Sequence, residues 1–150
     1  MTEPSRLVHD DLTRSIIGAF FEVYNEFDYG LLESIYAAAL REELVRRGHH
    51  VDRERWVDVH YKGTLIGKQR IDLIVDDEVV VEVKATEILP RFANRQLLNY
   101  LAVARRRVGL ILHFGPDAKF YRMVHTPKLQ PAPPCPVGCL APSGSLGDAV

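Results

Sequence analysis

Three charged side chains near the middle of the chain have the types and spacing of a metal-dependent hydrolytic site. Asp72 is followed ten residues later by Glu82, and Lys84 comes two residues after that. Carboxylate oxygens are the ligands that Mg²⁺ and Mn²⁺ prefer. A lysine beside them supplies positive charge to an anionic transition state. The three residues can act together only if the fold brings them onto one surface.

The strand register predicts that they share such a surface. Residues 64–75 and 79–85 have the composition of two strands, and Asp76-Asp77-Glu78 has that of a three-residue connection. This connection places Asp72 directly opposite Glu82, whereas a two-residue connection would mix acids and valines on one face. The apolar pairs that it predicts are Val75 with Val79, Leu73 with Val81 and Ile71 with Val83.

Two carboxylates facing each other need a compensating charge. Their Cβ atoms would lie roughly 5 Å apart, and at an effective dielectric of about 20 they repel by about 3 kcal/mol before screening. A divalent cation bound by Asp72 and Glu82 would offset this repulsion. Alternatively, Lys84 or Arg70 neutralises the pair in a purely structural network. The residues alone leave both readings open.

The remaining periodicity predicts one mixed domain. The element order is α-α-β-β-β-α-β-β, which indicates an α/β or α+β domain with a mixed central sheet. The predicted helices are 11–27, 31–47 and 91–107, and the predicted strands are 50–61, 64–75, 79–85, 108–114 and 119–124.

The ends of the chain differ from this domain in composition. Residues 1–9 form a polar lead, residues 10–126 the domain, and residues 127–150 a Pro- and Gly-rich tail that we expect to be disordered. The tail contains both cysteines, Cys135 and Cys139, which supply at most half of a zinc site. We find no membrane-length apolar stretch and no signal segment, so we expect a cytoplasmic protein.

Charge is unevenly distributed along a chain whose net charge is −1. Between residues 88 and 126 there is one acid, Asp117, among seven basic residues. These are Arg91, Arg95, Arg105, Arg106, Arg107, Lys119 and Arg122. The stretch can form one basic surface for nucleic acid or a solvated helix face, and the sequence does not decide between the two.

The D-x(9)-E-x-K pattern across a predicted hairpin resembles the PD-(D/E)XK nuclease superfamily, although Ile71 stands where the motif has proline. The resemblance implies a restriction-endonuclease-like core in which Asp72 and Glu82 bind the metal. It also implies that Lys84 orients the attacking water and stabilises charge developing on the phosphate.

Two further motifs extend the resemblance. Gln96 and Tyr100 form Q-x3-Y, as in the RecB-like branch, which implies that both face the site; alternatively they only cover the sheet. Residues 30–36 read G-x2-E-x2-Y, which resembles the GxxExxY protein family. That likeness implies that Glu33 is an additional metal-site acid, although it can equally cap a structural hydrogen bond.

The functional hypothesis is a Mg²⁺- or Mn²⁺-dependent nuclease acting on DNA. Its metal would be held by Asp72, Glu82 and Glu33, and Lys84 would complete the catalytic residues. A homodimer is compatible with this hypothesis, and the sequence leaves the oligomeric state open. Substrate would be positioned by Gln96, Tyr100, Arg70, Arg95 and Tyr36. The alternative is a catalytically weak or inactive module that binds nucleic acid or a protein partner. A more distant one is a purely structural ion network.

Overall fold

The computed structural model describes residues 9–127 of the chain. The predicted order of helices and strands is confirmed, and this part of the chain forms an α+β domain around a mixed sheet. The elements are α1 (Asp10–Phe27), α2 (Glu33–Arg46), β1 (Val51–Tyr61), β2 (Thr64–Val75), β3 (Val79–Lys84), α3 (Ala93–Ala104), β4 (Val108–Phe114) and β5 (Ala118–Val124).

Helix α3 is the element whose predicted bounds differ most from those in the structure. It ends at Ala104 because Arg105 adopts a left-handed conformation, with φ of 55°. No helix among the described residues has the length and apolar character needed to cross a bilayer. Apart from His9 and Pro127, the predicted polar lead and the predicted tail with its two cysteines lie outside the described residues.

Strand β3 lies at the centre of the sheet. The strand order is β1-β2-β3-β4-β5, in which β3 and β4 are parallel and the other neighbours are antiparallel. A parallel pair requires a crossover connection, and here α3 supplies it. Helices therefore cover both faces of β3.

Two apolar clusters fill the space between the sheet and these helices. Residues Val79, Val81 and Val83 pack in the cluster under α1 and α2. Val80 packs in the other cluster, under α3. Because side chains alternate along a strand, Glu82 follows Val80 toward the α3 side. A carboxylate therefore occupies a buried core position of the sheet.

The predicted three-residue connection is confirmed by the observed pairs Val75 with Val79 and Leu73 with Val81. The predicted pairing of Ile71 with Val83 is wrong. Ile71 packs in the α3-side cluster, whereas Val83 packs on the α1–α2 side. The side chains of β2 therefore do not alternate regularly across Asp72, since Ile71 and Leu73 point to opposite faces of the sheet. On the neighbouring strand β1, Glu54 has a φ of 54° next to this point. This left-handed residue interrupts the alternation of the β1–β2 pair.

Hydrogen bonds of Asp76 secure the turn that sets this register. His49 Nδ1 lies 2.7 Å from Asp76 Oδ2, and the His50 N–H donates to Asp76 Oδ1 at 2.8 Å. The other ring nitrogen of His49 lies 2.7 Å from Ser15 Oγ, so helix α1 is tied to the same turn. Despite the opposing effect of burial, the bonds from His49 and His50 lower the pKa of Asp76.

We predict that Asp76→Asn lowers the free energy of unfolding by about 1 kcal/mol, because it weakens two hydrogen bonds that are both assisted by the charge of the carboxylate. Asparagine tolerates the positive φ at this position, so backbone strain does not confuse the result. Urea denaturation at pH 7 measures the change. The matched control is Asp77→Asn in the same turn, whose exposed pairs with Arg55 and Arg106 should matter less. Equal losses in both variants would contradict the role given to Asp76.

Candidate active site

The candidate site begins where strands β2 and β3 separate. Their last paired residues are Leu73 and Val81. One position further on, Asp72 Oδ2 accepts a hydrogen bond from the Val83 N–H at 3.0 Å. A side-chain carboxylate thus joins the two strands where backbone pairing stops, and it comes to lie beside Glu82.

Glu82 is a buried acid with incomplete hydrogen bonding. It is 5% exposed, and its Oε1 accepts a hydrogen bond from Lys84 Nζ at 3.1 Å. Its other oxygen, Oε2, is enclosed and has no partner among residues 9–127. Burial, and then the charge of Asp72, raise the pKa of Glu82 to about 7. A buried oxygen without a partner costs free energy, so this position is one that an added ligand would stabilise.

Lys84 is held between the acid of its own strand and helix α3. Besides Glu82, its Nζ donates to Gln96 Oε1 at 3.4 Å. Burial acts to lower the pKa of Lys84, but the carboxylates of Glu82, Glu33 and Asp72 outweigh it and raise that pKa. Lys84 therefore remains a cation at neutral pH. It can donate hydrogen bonds and stabilise negative charge, but it is not a base.

Glu33 reaches the same region from the first turn of α2. Its Oε2 accepts a hydrogen bond from the Ala85 N–H at 3.3 Å, just beyond the end of β3. Its charge contributes to the raised pKa values of both Glu82 and Lys84. The structural hydrogen bond considered for Glu33 is thus present, and the side chain also lies near the two other acids.

Helix α3 covers the site with the predicted Q-x3-Y pair. Gln96 contacts Lys84, as described, and Tyr100 is 9% exposed within the α3-side cluster. Burial first, and then the charge of Glu82, raise the pKa of Tyr100. The structure therefore brings together six of the predicted site residues, namely Glu33, Asp72, Glu82, Lys84, Gln96 and Tyr100.

Tyr36 lies elsewhere, in the core. It is fully buried and stacks on Phe114 with ring centroids 4.2 Å apart. Its hydroxyl donates to the Asp28 carbonyl at 2.6 Å and accepts from the Leu31 N–H at 3.2 Å. This enclosed position does not fit the substrate contact predicted for Tyr36. Its bonds instead fix the loop from which Glu33 starts helix α2.

The two predicted substrate-binding arginines are exposed at the margins. Arg70 lies two residues before Asp72, with its Nη1 3.8 Å from Glu54 Oε1. Arg95 lines a shallow cleft at the start of α3, together with Phe92 and Gln96. Neither side chain has a described contact with Asp72, Glu82 or Lys84.

The basic stretch does not form one surface. Val79 pairs with Val108 at one end of the sheet, and Lys84 pairs with His113 at the other. Arg105, Arg106 and Arg107 precede Val108 and so lie at the end away from Lys84. Arg106 is there bound to Asp77 at 2.7 Å. Only the remaining basic residues can lie near the candidate site.

The donor set fits a hard divalent cation, although the acids are not arranged as a finished coordination shell. Within residues 9–127 no group of three or more His, Cys, Asp or Glu side chains has the arrangement of a metal site. The fit rests on the unpartnered Glu82 Oε2 and on two further carboxylates, Asp72 and Glu33, close enough to influence it. All three supply the oxygen ligands that Mg²⁺ and Mn²⁺ select.

Two backbone contacts of the site were not predicted from the sequence. The N–H groups of Val83 and Ala85 each donate to a site carboxylate, to Asp72 and Glu33 respectively. The available signal was topological: past the last β2–β3 pair, the backbone donors of β3 need other acceptors, and nearby acids can provide them.

Comparison with known proteins agrees with this geometry. The model of the PD-(D/E)XK nuclease superfamily matches residues 10–123. The chain belongs to this superfamily. Its D-x(9)-E-x-K motif lies on the adjacent strands β2 and β3, just past their last backbone pair. The closer likeness to the GxxExxY family remains a prediction.

A solved structure of similar fold is the crystal structure of SSO0001. It is 15% identical to this PD-(D/E)XK chain with a TM-score of 0.50, and the match covers 80% of this chain and 61% of that one. The chain thus spans less than two thirds of the length of that protein. At this level of identity the likeness concerns the fold alone. No curated protein matches the chain.

The raised pKa of Glu82 predicts how metal-free stability depends on pH. Below about pH 4.5 the carboxyl is protonated in both the folded and unfolded states. Between pH 4.5 and 7 the unfolded state ionises first, because the folded pKa is about 7. Stability should therefore fall by about 3 kcal/mol across this window and then level off.

Chemical denaturation of the wild type and Glu82→Gln, between pH 4 and 8 with EDTA, measures this effect. Glutamine has no charge to bury, so the difference between the two proteins isolates Glu82 from other titrating groups. We expect the variant to gain on the wild type as pH rises through 4.5 to 7. A difference that does not change with pH would contradict the raised pKa.

Proposed function

We propose that the protein is a divalent-metal-dependent nuclease that hydrolyses phosphodiester bonds in DNA. One observation supports this most strongly. A buried carboxylate with an unpartnered oxygen, Glu82, lies beside a second acid and a lysine at the motif positions of the superfamily. A purely structural network leaves that oxygen without compensation, whereas a bound cation would supply it.

Asp72 and Glu82 would hold Mg²⁺ or Mn²⁺, with Glu33 as an auxiliary acid. When bound, the ion supplies Lewis acidity to the phosphate and lowers the pKa of a coordinated water. The hydrogen bond from Val83 orients the Asp72 carboxylate, and the hydrogen bond from Ala85 does the same for Glu33. The acids would thus be held in place before the ion arrives.

Lys84 would act as a charged hydrogen-bond donor. Because its pKa is raised, it keeps its proton at neutral pH and does not take one from water. Its Nζ can orient the attacking water and donate to the phosphate oxygens as negative charge develops on them. Glu82 and Gln96 position the ammonium group from two sides.

Residues at the edge of the site would position the substrate. We assign this role to Gln96, Tyr100 and Arg95 of helix α3, and to Arg70, which lies two residues before Asp72 on β2. Tyr36 would act indirectly, through the loop that precedes Glu33. We also propose that the protein acts in the cytoplasm, as a homodimer that cuts both strands.

The alternative is a nuclease-like module that binds nucleic acid or a protein partner with little or no turnover. The ion pair between Lys84 and Glu82 favours it, because the lysine already neutralises part of the charge that a metal would neutralise. The two functions differ in whether a divalent ion binds beside this pair and supports turnover.

We predict that the purified full chain degrades DNA in Mg²⁺ or Mn²⁺ and is inactive in EDTA. Lys84→Ala should reduce the rate by about 100- to 1000-fold, because it removes a donor to the developing negative charge. Asp72→Asn should have no activity with either ion, because it removes one of the carboxylates that would hold the metal. Gel assays of labelled single-stranded and duplex DNA measure these rates.

Asp77→Asn is the matched control, since it makes the same chemical change at the opposite end of the sheet. It should cleave as the wild type does. If the wild type binds DNA but does not cleave it with either ion, the binding-module alternative replaces the nuclease. If Asp72→Asn and Lys84→Ala cleave normally, the activity belongs to another site or to a contaminant.

A further inference from the structure

Three side chains away from the candidate active site are hydrogen-bonded in series. They are Ser15 of α1, His49 in the segment before β1, and Asp76 at the β2–β3 turn. His49 Nε2 lies 2.7 Å from Ser15 Oγ, and His49 Nδ1 lies 2.7 Å from Asp76 Oδ2. The turn adjoins Val79, at the end of the sheet opposite Lys84. A hydroxyl, an imidazole and a carboxylate in this order have the arrangement of a Ser–His–Asp triad, and the three residues are called the triad below.

The partners of His49 determine where its proton lies. A carboxylate only accepts hydrogen bonds, so Nδ1 carries the proton and donates to Asp76. In the neutral ring Nε2 then has a lone pair, and the Ser15 hydroxyl donates to it. Although burial acts to raise it, the hydrogen bonds from His49 and His50 lower the pKa of Asp76, so this carboxylate is ionised at neutral pH. This is the arrangement in which a histidine can take a proton from a serine.

The backbone holds both the imidazole and the carboxylate of the triad. Asp76 Oδ1 accepts a hydrogen bond from the His50 N–H at 2.8 Å, and the Asp76 N–H donates to the His50 carbonyl at 2.8 Å. The His49 N–H donates to the carbonyl of Leu44, in the last turn of α2, at 3.0 Å. Both groups are therefore positioned before any substrate arrives.

The hydroxyl of Ser15 does not make the usual bond of a helical serine. Within a helix, Ser and Thr hydroxyls often donate to a carbonyl three or four residues earlier. Thr13 does so on the same helix, where its Oγ1 donates to the Asp10 carbonyl at 2.9 Å. Ser15 instead contacts His49, 34 residues later in the chain. A local acceptor can satisfy such a hydroxyl, so the needs of the helix do not explain the contact with the imidazole.

A cation lies on α1 one turn after the serine. Gly18 is three residues beyond Ser15, on the same face of the helix and roughly 5–6 Å away. A Cβ at Gly18 would be 2.9 Å from Nη1 of Arg47, so the guanidinium approaches the helix closely. Glu43 accepts a hydrogen bond from Arg47 Nε at 3.0 Å and fixes the group from its other end. Arg47 can therefore donate to negative charge that develops on an oxygen bound at Ser15.

The triad lies at the surface of the described fold. The side chains of His49 and Asp76 are 17% and 36% exposed, and Ser15 is half-buried. Small molecules in solution can therefore approach it. Because an open site makes few contacts with the rest of a substrate, it is best suited to small esters with a good leaving group.

We propose that Ser15, His49 and Asp76 form a second catalytic site, which hydrolyses small carboxylic esters through an acyl-serine intermediate. The Ser15 oxygen attacks the ester carbonyl carbon while its proton passes to His49 Nε2. His49 then gives that proton to the departing alcohol as the bond between the carbonyl carbon and the alkoxy oxygen breaks. Arg47 stabilises the negative carbonyl oxygen, and Asp76 stabilises the positive ring.

Water completes the reaction by the same route. It gives a proton to His49 and attacks the acyl carbon. The bond to Ser15 Oγ then breaks, the carboxylic acid leaves, and Ser15 recovers its proton from His49. Neither step uses a metal, so the activity should persist in EDTA.

The test is the hydrolysis of p-nitrophenyl acetate by the full chain in EDTA, which removes the metal that the proposed nuclease needs. Ser15→Ala and His49→Ala should each lower the rate by at least about 100-fold. Asp76→Asn should lower it comparably, because the ring then adopts the wrong tautomer. Arg47→Gln should lower kcat with little change in KM, since Arg47 acts on the transition state.

The matched controls are an exposed histidine of β1 and an exposed serine of α2. His60→Ala and Ser34→Ala should hydrolyse the ester as the wild type does. Melting temperatures confirm that all variants are folded. If His49→Ala lowers the rate but Ser15→Ala does not, an imidazole acts alone and the triad is overturned.

A fluorophosphonate probe, which reacts with nucleophilic serines, tests the intermediate in the wild type without any substitution. Mass spectrometry of the labelled peptides should place the probe on Ser15, and His49→Ala should greatly reduce the labelling. Absence of labelling, or labelling of another residue instead, would overturn the proposal. So would ester hydrolysis by the wild type no faster than in buffer alone; the three residues would then only tie α1 to the turn.

Discussion

The candidate site depends on one unfavourable placement: a glutamate in a core position of the central strand. Glu82 follows the alternation that buries Val80 on the α3 side, and helices cover both faces of β3. Its carboxylate therefore loses water, and one oxygen finds no replacement within the described fold. Burial of this kind is tolerated when a compensating charge or ligand is available. Lys84 provides part of that compensation.

The surrounding elements can be understood as means of bringing groups to this carboxylate. The separation of β2 and β3 frees the Val83 N–H to orient Asp72. Helix α2 starts at Glu33 because the preceding loop is fixed by the Tyr36 hydroxyl. Helix α3 connects the two parallel strands and so must cross the same face, where it places Gln96 against Lys84. Each of these contacts follows from the topology. The four charged side chains, Glu33, Asp72, Glu82 and Lys84, lie where these elements meet.

Much of this arrangement could be predicted from the sequence. The β2–β3 register followed from a short acidic turn and from the alternation of valines, because a slip by one residue would have buried the acids with them. The helices and strands followed from apolar periodicity.

Three aspects of the structure could not be predicted. The reversal of facing at Asp72 depends on a left-handed Glu54, a residue type that gives no sign of it. The full burial of Tyr36 depends on stacking against Phe114, which is distant in sequence. The division of the basic stretch between two ends of the sheet depends on the parallel pairing of β3 with β4.

The central claim is that the Glu82 carboxylate is stabilised by a divalent cation, and calorimetric titration of Mn²⁺ tests it most directly. The experiment compares the wild type with Glu82→Gln at pH 6.5 in two buffers of different ionisation enthalpy. We predict one site per chain in the wild type, with release of a proton because the pKa of Glu82 is about 7. We also predict at least ten-fold weaker binding in the variant. The absence of binding at millimolar Mn²⁺, or equal binding by both proteins, would contradict the account.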